Sequence, residues 1–448
     1  NWTEINTLPD TGFPCNALGG FAWYFGQVRV NPNDDNDIFV LGVDMWRTKD
    51  GGSNWERAVP SWSTYAVHAD KHDLIFDGIR MILATDGGIY ESTDDAENWV
   101  DIENIVATQF YRIGYNPHRP DWYYGGAQDN GTSGGNAEII NEWPRLSGGD
   151  GFTIDFDPSD SMIYYVLSQN GNLRVTFDGG DSFDSARSGF DNSEGTNWDT
   201  PYFVSKHDPK VLYAGRQSVY KGFNDGEEVK WSKISDILTD TTGNESFFAH
   251  TISTVHQSPL TEEYLYAGTT DGLVWSSIDA GQTWDNVSEG IPYRYVSDIV
   301  ASPSKPNSAY VSVTGYKSND FVAHIHRTDD NGQTWISISG DLPQIAINDI
   351  LLHPEYDDNV IFVATDGGIY FTVDAGESWD RLGDNMPIIE VYDMVYNPVN
   401  NELVAGTFAR GIQTFDLEQV NLDNNPSTLD NIPEFAISLY PTVTTNQI

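Results

Sequence analysis

The stretch TVDAGESWDRL, Thr372–Leu382, has a pattern that recurs in five other places along the chain. The other copies are TKDGGSNWERA from Thr48, STDDAENWVDI from Ser92, TFDGGDSFDSA from Thr176, SIDAGQTWDNV from Ser277 and TDDNGQTWISI from Thr328. They share Ser/Thr-x-Asp-x-Gly-x-x-Trp, except that Ala96 replaces the Gly in one copy and Phe183 replaces the Trp in another. A seventh copy, KGFNDGEEVKW, is degenerate.

Each shared residue has a mechanical role in a tight turn. The Asp carboxylate can accept backbone N–H bonds within its own turn, the Gly supplies a positive φ, and the aromatic ring packs between neighbouring sheets. We therefore predict a structural role for the turn aspartates Asp50, Asp94, Asp178, Asp279, Asp330 and Asp374.

The spacing of the turns predicts an all-β fold, a β-propeller of four-stranded blades. The intervals between the anchor aromatics Trp55, Trp99, Phe183, Trp231, Trp284, Trp335 and Trp379 are 44, 84, 48, 53, 51 and 44 residues, and 84 is close to two periods. A period of about 40–50 residues with four strands per unit is typical of a propeller. Strand patterns that end in proline turns, such as RIGYNP and YDMVYNP, raise the count to about nine units.

Three segments are expected: a propeller over 1–417, an Asn-, Asp- and Pro-rich linker over 418–434, and a further segment over 435–448. The opening NWTEINTLP is similar to the end of a repeat, so residues 1–8 could supply the outer strand of the last blade and close the ring. Alternatively, the chain starts within a blade and earlier blades are missing.

Composition narrows the function classes. The formal net charge of −44 argues against nucleic-acid binding, which needs Lys and Arg, and disfavours anionic membrane surfaces. Cys15 is the single cysteine, so the sequence contains no pair for an intrachain disulfide. No apolar run approaches the roughly 18 residues of a transmembrane segment, and no cofactor is expected.

The recurring turns resemble Asp-box (BNR) repeats, which occur in sialidases, in two-propeller glycoside hydrolases of the xyloglucanase kind and in the sortilin family. The resemblance covers residues 1–417 and implies a fold, not an activity. The blocks HADKHDL, TDGGIYESTD, YYGGAQDNGT and GGDGFTIDFDP, in that order, also resemble secreted sortilin-like propellers of Bacteroidetes-type bacteria.

The last stretch, FAISLYPTVTTNQI, resembles the opening of a C-terminal sorting domain of the type IX secretion system. That motif often runs Leu-Tyr-Pro-Asn-Pro, and here Thr442 and Val443 replace its last two residues. The resemblance implies secretion-system partners and a location outside a Gram-negative cell or on its outer surface.

Ligands of propellers usually contact the inner strands near the central channel. Aligning those strands on their proline turns gives one polar ring, formed by Gln27, Asp70, Arg112, Thr153, Asp298, Asp349 and Asp393. Its four carboxylates could hold a cation or face a sugar, or they could simply line a solvated channel. We include Asp70 and Asp393 among the candidate ligand-binding residues.

Two further places are candidates because the repeat fails there. His68, Asp70 and His72 would share one face of a strand, where they could bind a divalent ion, contact a ligand or make structural hydrogen bonds. The Gly-rich stretch Gly125–Gly135 could present Gln128, Asp129 and Asn130 as a recognition loop, or be an Asn-Gly turn. Asp150, in LSGGDGF, is a similar candidate.

Besides a carrier or assembly component whose propeller serves mainly as a stable exported body, two functions remain open from sequence. The first is a secreted or cell-surface propeller, without enzymatic activity, that binds glycan or protein ligands at its channel face. The alternative is a glycoside hydrolase of the two-propeller kind, which would use paired carboxylates. A sialidase is disfavoured because arginines are scarce and the Arg-Ile-Pro motif is missing from the sequence.

Overall fold

The computed structural model describes residues 18, 21, 23–24, 26–64, 66–102, 105, 107–139, 143–240, 250–315, 318–383, 385–423 and 438–439. These residues form nine four-stranded antiparallel sheets, the blades of a β-propeller fold, and two one-turn 3-10 helices at Trp62–Thr64 and Leu417–Gln419. The predicted all-β fold class and the count of about nine repeats are confirmed.

The blades belong to two compact units, one within Asn1–Ala107 and one within Thr108–Ile140 and Leu146–Tyr440. We call them unit 1 and unit 2. In unit 1, blade 1 consists of β1 (Gln27–Asn31), β2 (Asp34–Leu41), β3 (Met45–Thr48) and β4 (Glu56–Arg57). Blade 2 consists of β5 (Lys71–Asp77), β6 (Arg80–Thr85), β7 (Gly88–Ser92) and β8 (Val100–Asp101).

Unit 2 contains blades 3 to 9, each with its four strands in chain order from the inner to the outer edge. Blade 3 consists of β9 (Phe110–Gly114), β10 (Tyr123–Ala127), β11 (Gly131–Gly135) and β12 (Arg145–Ser147). Blade 4 consists of β13 (Gly151–Phe156), β14 (Tyr164–Ser168), β15 (Asn172–Thr176) and β16 (Asp184–Ser185). Blade 5 consists of β17 (Tyr202–Val204), β18 (Val211–Gly215), β19 (Val219–Asn224) and β20 (Val229–Lys233). Blade 6 consists of β21 (Ile252–Gln257), β22 (Leu265–Thr269), β23 (Val274–Ser277) and β24 (Asp285–Asn286). Blade 7 consists of β25 (Tyr295–Ala301), β26 (Ala309–Gly315), β27 (Asp320–Thr328) and β28 (Ile336–Ser337). Blade 8 consists of β29 (Ile347–Leu352), β30 (Ile361–Thr365), β31 (Gly368–Thr372) and β32 (Asp380–Leu382). Blade 9 consists of β33 (Val391–Asn397), β34 (Glu402–Thr407), β35 (Ile412–Asp416) and β36 (Ser438–Leu439).

The seven blades of unit 2 close into a ring, because blade 9 bonds directly to blade 3. The Gly411 N–H donates to the Thr108 carbonyl at 3.1 Å, and the Tyr123 hydroxyl donates to Glu402 at 3.1 Å. Second strands such as β26 and β30 are buried along their whole length, so the core is divided among the interfaces between blades.

The outer position of blade 9 is taken by β36, which pairs with Gln413 and Thr414 of β35. Residues 1–8, which we expected as candidates for that position, lie outside the described residues. Residues 424–437 lie outside them as well, so the boundaries 1–417, 418–434 and 435–448 stay a prediction.

All six repeated turns use their aspartate in the same way. In each, one carboxylate oxygen accepts the backbone N–H of the residue four positions later, at 2.8–2.9 Å. In the turn of blade 8, Asp374 also accepts bonds from the hydroxyls of Thr372 and Ser378, both at 2.6 Å. The Trp379 indole N–H then donates to the carbonyl of Ile338 in blade 7 at 3.1 Å, which joins the turn to the preceding blade.

We predict that Asp374→Ala lowers the free energy of unfolding by about 1–2 kcal/mol, because the backbone N–H of Ser378 and two hydroxyls lose their shared acceptor. Thermal unfolding measures the change. Asp380→Ala is the matched control, since Asp380 is exposed in β32, the next strand of the same blade. Equal melting temperatures for the two variants would contradict a structural role for Asp374.

Candidate functional site

Inner-strand carboxylates join neighbouring blades of unit 2. In four blades an aspartate of the first strand accepts the backbone N–H of the next blade's first strand. The four bonds are Asp155 to Val204 at 2.7 Å, Asp298 to Ile350 at 3.1 Å, Asp349 to Met394 at 2.9 Å and Asp393 to Ile113 at 2.7 Å. Three members of the predicted polar ring, Asp298, Asp349 and Asp393, therefore join neighbouring blades, and in blade 4 Asp155 does so although Thr153 was the predicted member.

Arg112 provides positive charge beside this ring. Its Nε donates to Asp199 at 2.7 Å and its Nη1 lies 3.5 Å from Asp393. Burial raises the pKa of Asp393 to about 6 although Arg112 opposes the rise. Burial, together with the charges of Asp298 and Asp393, raises the pKa of Asp349 well above its ordinary value. Arg112 thus lies near Asp349 and Asp393, two carboxyl groups whose raised pKa values disfavour ionisation.

Asp70 does not take the ring position that the proline alignment gave it. It precedes β5 and has a positive φ of 62°, and a bulge follows between Lys71 and Asp73. The other three aligned aspartates lie just after the same kind of bulge, in β25, β29 and β33. Asp73 therefore holds the equivalent place in blade 2, where it accepts the Arg29 side chain at 2.6 Å.

The prediction that His68, Asp70 and His72 share one strand face is wrong, because β5 begins at Lys71 and Asp70 has a left-handed backbone conformation. His68 is buried, and its Nδ1 lies 3.1 Å from the Ala69 carbonyl. His72 is half-buried and is bonded through Nε2 to the Asp86 carboxylate. Their assignment as ligand-binding residues stays a prediction.

The Gly-rich stretch Gly125–Gly135 is mostly a buried hairpin. Its glycines allow close packing, since a Cβ on Gly126 would clash with the backbone of Gly151, and one on Gly131 would clash with that of Ser147. Only Gln128, Asp129 and Asn130 form the turn between β10 and β11. The predicted recognition loop is therefore three residues long.

Asp129 and Asp150 come together at this turn. The Asp150 carboxylate accepts the Asp129 backbone N–H at 2.7 Å, and its own N–H donates to Gln169 at 3.0 Å. Asp150 is buried, which raises its pKa to about 6, and the neighbouring carboxylate of Asp129 adds to the rise. Two of the predicted ligand-binding residues thus form a carboxyl pair, and Asp393 lies on an adjacent blade.

Five aromatic side chains form a continuous row at this end of unit 2, which we call the aromatic row. Its ring contacts are Trp198–Phe152 at 6.3 Å, Phe152–Tyr111 at 4.9 Å, Tyr111–Tyr392 at 6.0 Å and Tyr392–Phe408 at 6.1 Å. The end members Trp198 and Phe408 are 40% and 42% exposed. Phe152 is buried, at 1% exposed, and Tyr111 and Tyr392 are half-buried, so the row meets solvent mainly at its two ends.

The row has one structural origin. Tyr111, Phe152 and Tyr392 are each the second residue of an inner strand, Trp198 lies shortly before β17, and Phe408 lies in the β34–β35 turn. In an antiparallel blade these places are at the same end of the strands, opposite to the Asp-box turns. Burial raises the pKa of the Tyr111 phenol, and the charges of Asp150 and Asp129 raise it further.

Three polar atoms beside the row are buried and have no hydrogen-bond partner among the described residues. They are Asn197 Nδ2, next to Trp198, and the oxygens Thr108 Oγ1 and Gln413 Oε1, near the Phe408 turn. Thr108 is 4% exposed and Gln413 is 1% exposed. Buried polar groups are nearly always paired, so these atoms indicate a missing hydrogen-bonding partner.

Sequence reasoning missed the aromatic row, although it identified its neighbours. Tyr111, Phe152 and Tyr392 each precede a residue of the aligned ring by one position. The same alignment moved by one residue would have found three of the five rings. Trp198 and Phe408 carry no such signal, because they lie in segments between strands.

Known proteins share only limited similarity with this chain. Residues 272–387, about a quarter of the chain, match the family described as Sortilin-Vps10, "Sortilin, neurotensin receptor 3". YCF48 from Cyanidioschyzon merolae is similar in structure at 14% identity, covering 86% of this chain and 92% of that one, with a TM-score of 0.34. No match was found among curated proteins.

Two glycoside hydrolase family 74 structures are also similar. The Niastella koreensis enzyme is 13% identical, covering 87% of this chain and 74% of its own, with a TM-score of 0.26. The Xanthomonas campestris xyloglucanase is 13% identical, covering 86% and 69%, with a TM-score of 0.27. Similarity this low assigns no activity.

In the described part of the chain, no helix has the length and apolar character needed to cross a membrane.

We predict that the ring carboxyls make stability depend on pH. A carboxyl whose folded pKa lies above its unfolded value near 3.8 favours the folded state most at low pH, and that contribution is lost as the pH rises through the folded pKa. Asp349→Asn removes one such group, so it should raise the free energy of unfolding at pH 7 by about 1 kcal/mol relative to the native chain.

The gain should disappear toward about pH 3, below the unfolded value of 3.8, where Asp349 is protonated in both states. Denaturant unfolding at the two pH values measures it, and Asp357→Asn is the control because Asp357 is exposed. A destabilised Asp349→Asn at pH 7 would show that the ionised carboxylate is needed.

Proposed function

We propose that this chain is a carbohydrate-binding β-propeller whose ligand contacts the exposed members of the aromatic row of unit 2, Trp198 and Phe408. The observation that carries the proposal is the row itself, five contacting rings with exposed members at both ends. The C–H faces of sugar rings are apolar and flat, so they suit exposed aromatic faces. Binding sites typically combine such surfaces with a few polar groups that fix orientation.

The polar surroundings support the same ligand. Sugars carry many hydroxyl groups, each both a donor and an acceptor of hydrogen bonds. Asn197 Nδ2 could donate to a hydroxyl oxygen, and Gln413 Oε1 could accept from a hydroxyl. An apolar peptide would leave these groups unpaired.

Export by a type IX secretion system to the outer cell surface or the medium is part of the proposal. It rests on the resemblance of residues 435–448 to a sorting domain. Expression in a Gram-negative host that has this system tests it. The chain should reach the surface or the medium, and it should be retained in the periplasm when the system is deleted.

We predict that Trp198→Ala weakens glycan binding roughly tenfold, because an exposed stacking surface of the row is lost. A glycan array identifies the ligand, and calorimetric titration measures its affinity. Phe223→Ala is the control, since Phe223 is 50% exposed in β19 and outside the row. An array without hits, or equal losses in both variants, would contradict the proposed site.

A second candidate function, glycoside hydrolysis, is favoured by the Asp129–Asp150 pair. A general acid must be protonated near the working pH, and burial gives Asp150 a pKa of about 6. Asp150 would donate its proton to the glycosidic oxygen while a carboxylate takes a proton from the attacking water.

We predict for this candidate that array ligands release reducing ends on incubation, and that the rate falls as the pH rises above about 6. Asp150→Asn should lower the rate at least 100-fold. The Asn oxygen can still accept the Asp129 N–H, so binding should survive in the variant. Binding without release of reducing ends would leave the protein a lectin-like binder.

A further inference from the structure

Acidic side chains border the aromatic row along its length. At its Trp198 end, Tyr111 lies within the electrostatic reach of three carboxyl groups, those of Asp150, Asp129 and Asp199. At the other end, Tyr392 is affected by the carboxylates of Glu390 and Asp366. Burial raises the pKa of Glu390, and the nearby Asp366 raises it further. The whole row is thus bordered by acids.

Few cations balance these acids. Arg112 donates to Asp199 and lies against Asp393, so its charge is shared between two carboxylates. Arg410 is exposed in the same turn as Phe408, at the far end of the row. The Trp198 end therefore keeps an excess of negative charge beside an exposed indole ring.

An aromatic face next to carboxylates is a favourable place for an organic cation. The ring quadrupole attracts a cation over its face, most strongly for Trp, and a carboxylate adds a direct charge interaction. Asp129 sits in the turn beside the row and is half-buried, where charge is screened less than at a fully exposed position.

We propose that the row takes a glycan with free, protonated amino groups, an amino sugar chain, with an ammonium group held between Trp198, Tyr111 and Asp129. The proposal rests on the carbohydrate-binding function above and names its substrate class. Neutral sugars would stack on the same rings without using the carboxylates. Anionic sugars would be repelled by them.

The test is calorimetric titration of the full chain with three hexamers, those of glucosamine, N-acetylglucosamine and glucose, at about pH 5.5 where the amines are protonated. Glucosamine hexamer should bind at least about tenfold more tightly than either neutral chain. Raising the salt from about 0.05 to 0.5 M should reduce this preference, since screening weakens the charge term alone.

Asp129→Asn isolates the charge. Asn keeps the shape of the side chain and tolerates the positive φ of 57° at this turn. The preference for glucosamine should fall at least threefold while the neutral chains keep their affinity. Asp357→Asn is the matched control, because Asp357 is also an aspartate with a positive φ, 50°, in an exposed turn outside the row.

The chain's net charge of −44 attracts any polycation, so site-specific binding needs a separate check. Trp198→Ala keeps every charge and removes the ring. Glucosamine binding must fall about tenfold in this variant. Unchanged glucosamine binding in Trp198→Ala would reveal attraction to the surface in general and overturn the assignment.

The remaining outcomes separate the two proposals. Equal affinity for all three hexamers would overturn the amino-sugar preference and leave carbohydrate binding standing. If none of the three hexamers binds and the glycan array shows no hits, both the amino-sugar preference and carbohydrate binding are overturned.

Discussion

Closure of the ring is the constraint on which unit 2 depends, and among the described residues an inner-strand aspartate bonds to the next blade at four of its seven interfaces. Each blade is a small sheet that contacts only its neighbours, so the ring persists only if every interface holds, the last included. Asp393 makes the same bond to blade 3 that Asp349 makes to blade 9. Blade 9 is therefore joined to blade 3 like any other neighbour.

That bond has an electrostatic cost which the structure shows. A carboxylate bonded to a backbone N–H is a strong interaction, but burying it among other carboxyls disfavours its charged form. The pKa values of Asp298, Asp349 and Asp393 are all raised, with burial as the main cause. Arg112 offsets part of this cost. The channel aspartates already accept backbone N–H groups, and Arg112 lies beside Asp393. We therefore place ligand binding at the aromatic row and not in the channel.

The sequence predicted the repeat well and the site only partly, for a physical reason. Turn residues act locally, so the Asp, Gly and Trp of one turn can be read from eleven consecutive letters. The inner strands carry a bulge near their start, and a one-residue shift moves a side chain to the other face. Counting back from the proline therefore chose Asp70 where Asp73 holds the place. The aromatic row is formed by five separate segments, and only the closed ring brings them together.

The two ends of the strands differ in how their polar groups are satisfied, and this difference locates recognition. At the Asp-box end, each carboxylate accepts bonds from its own turn, so the turn aspartates have few acceptor sites left for a ligand. At the other end, Asn197 Nδ2, Thr108 Oγ1 and Gln413 Oε1 lack partners among the described residues, and aromatic faces meet solvent. A net charge of −44 acts on every approaching molecule alike, and salt screens it within about 10 Å. Discrimination between ligands must therefore come from the few carboxylates whose charges reach the rings.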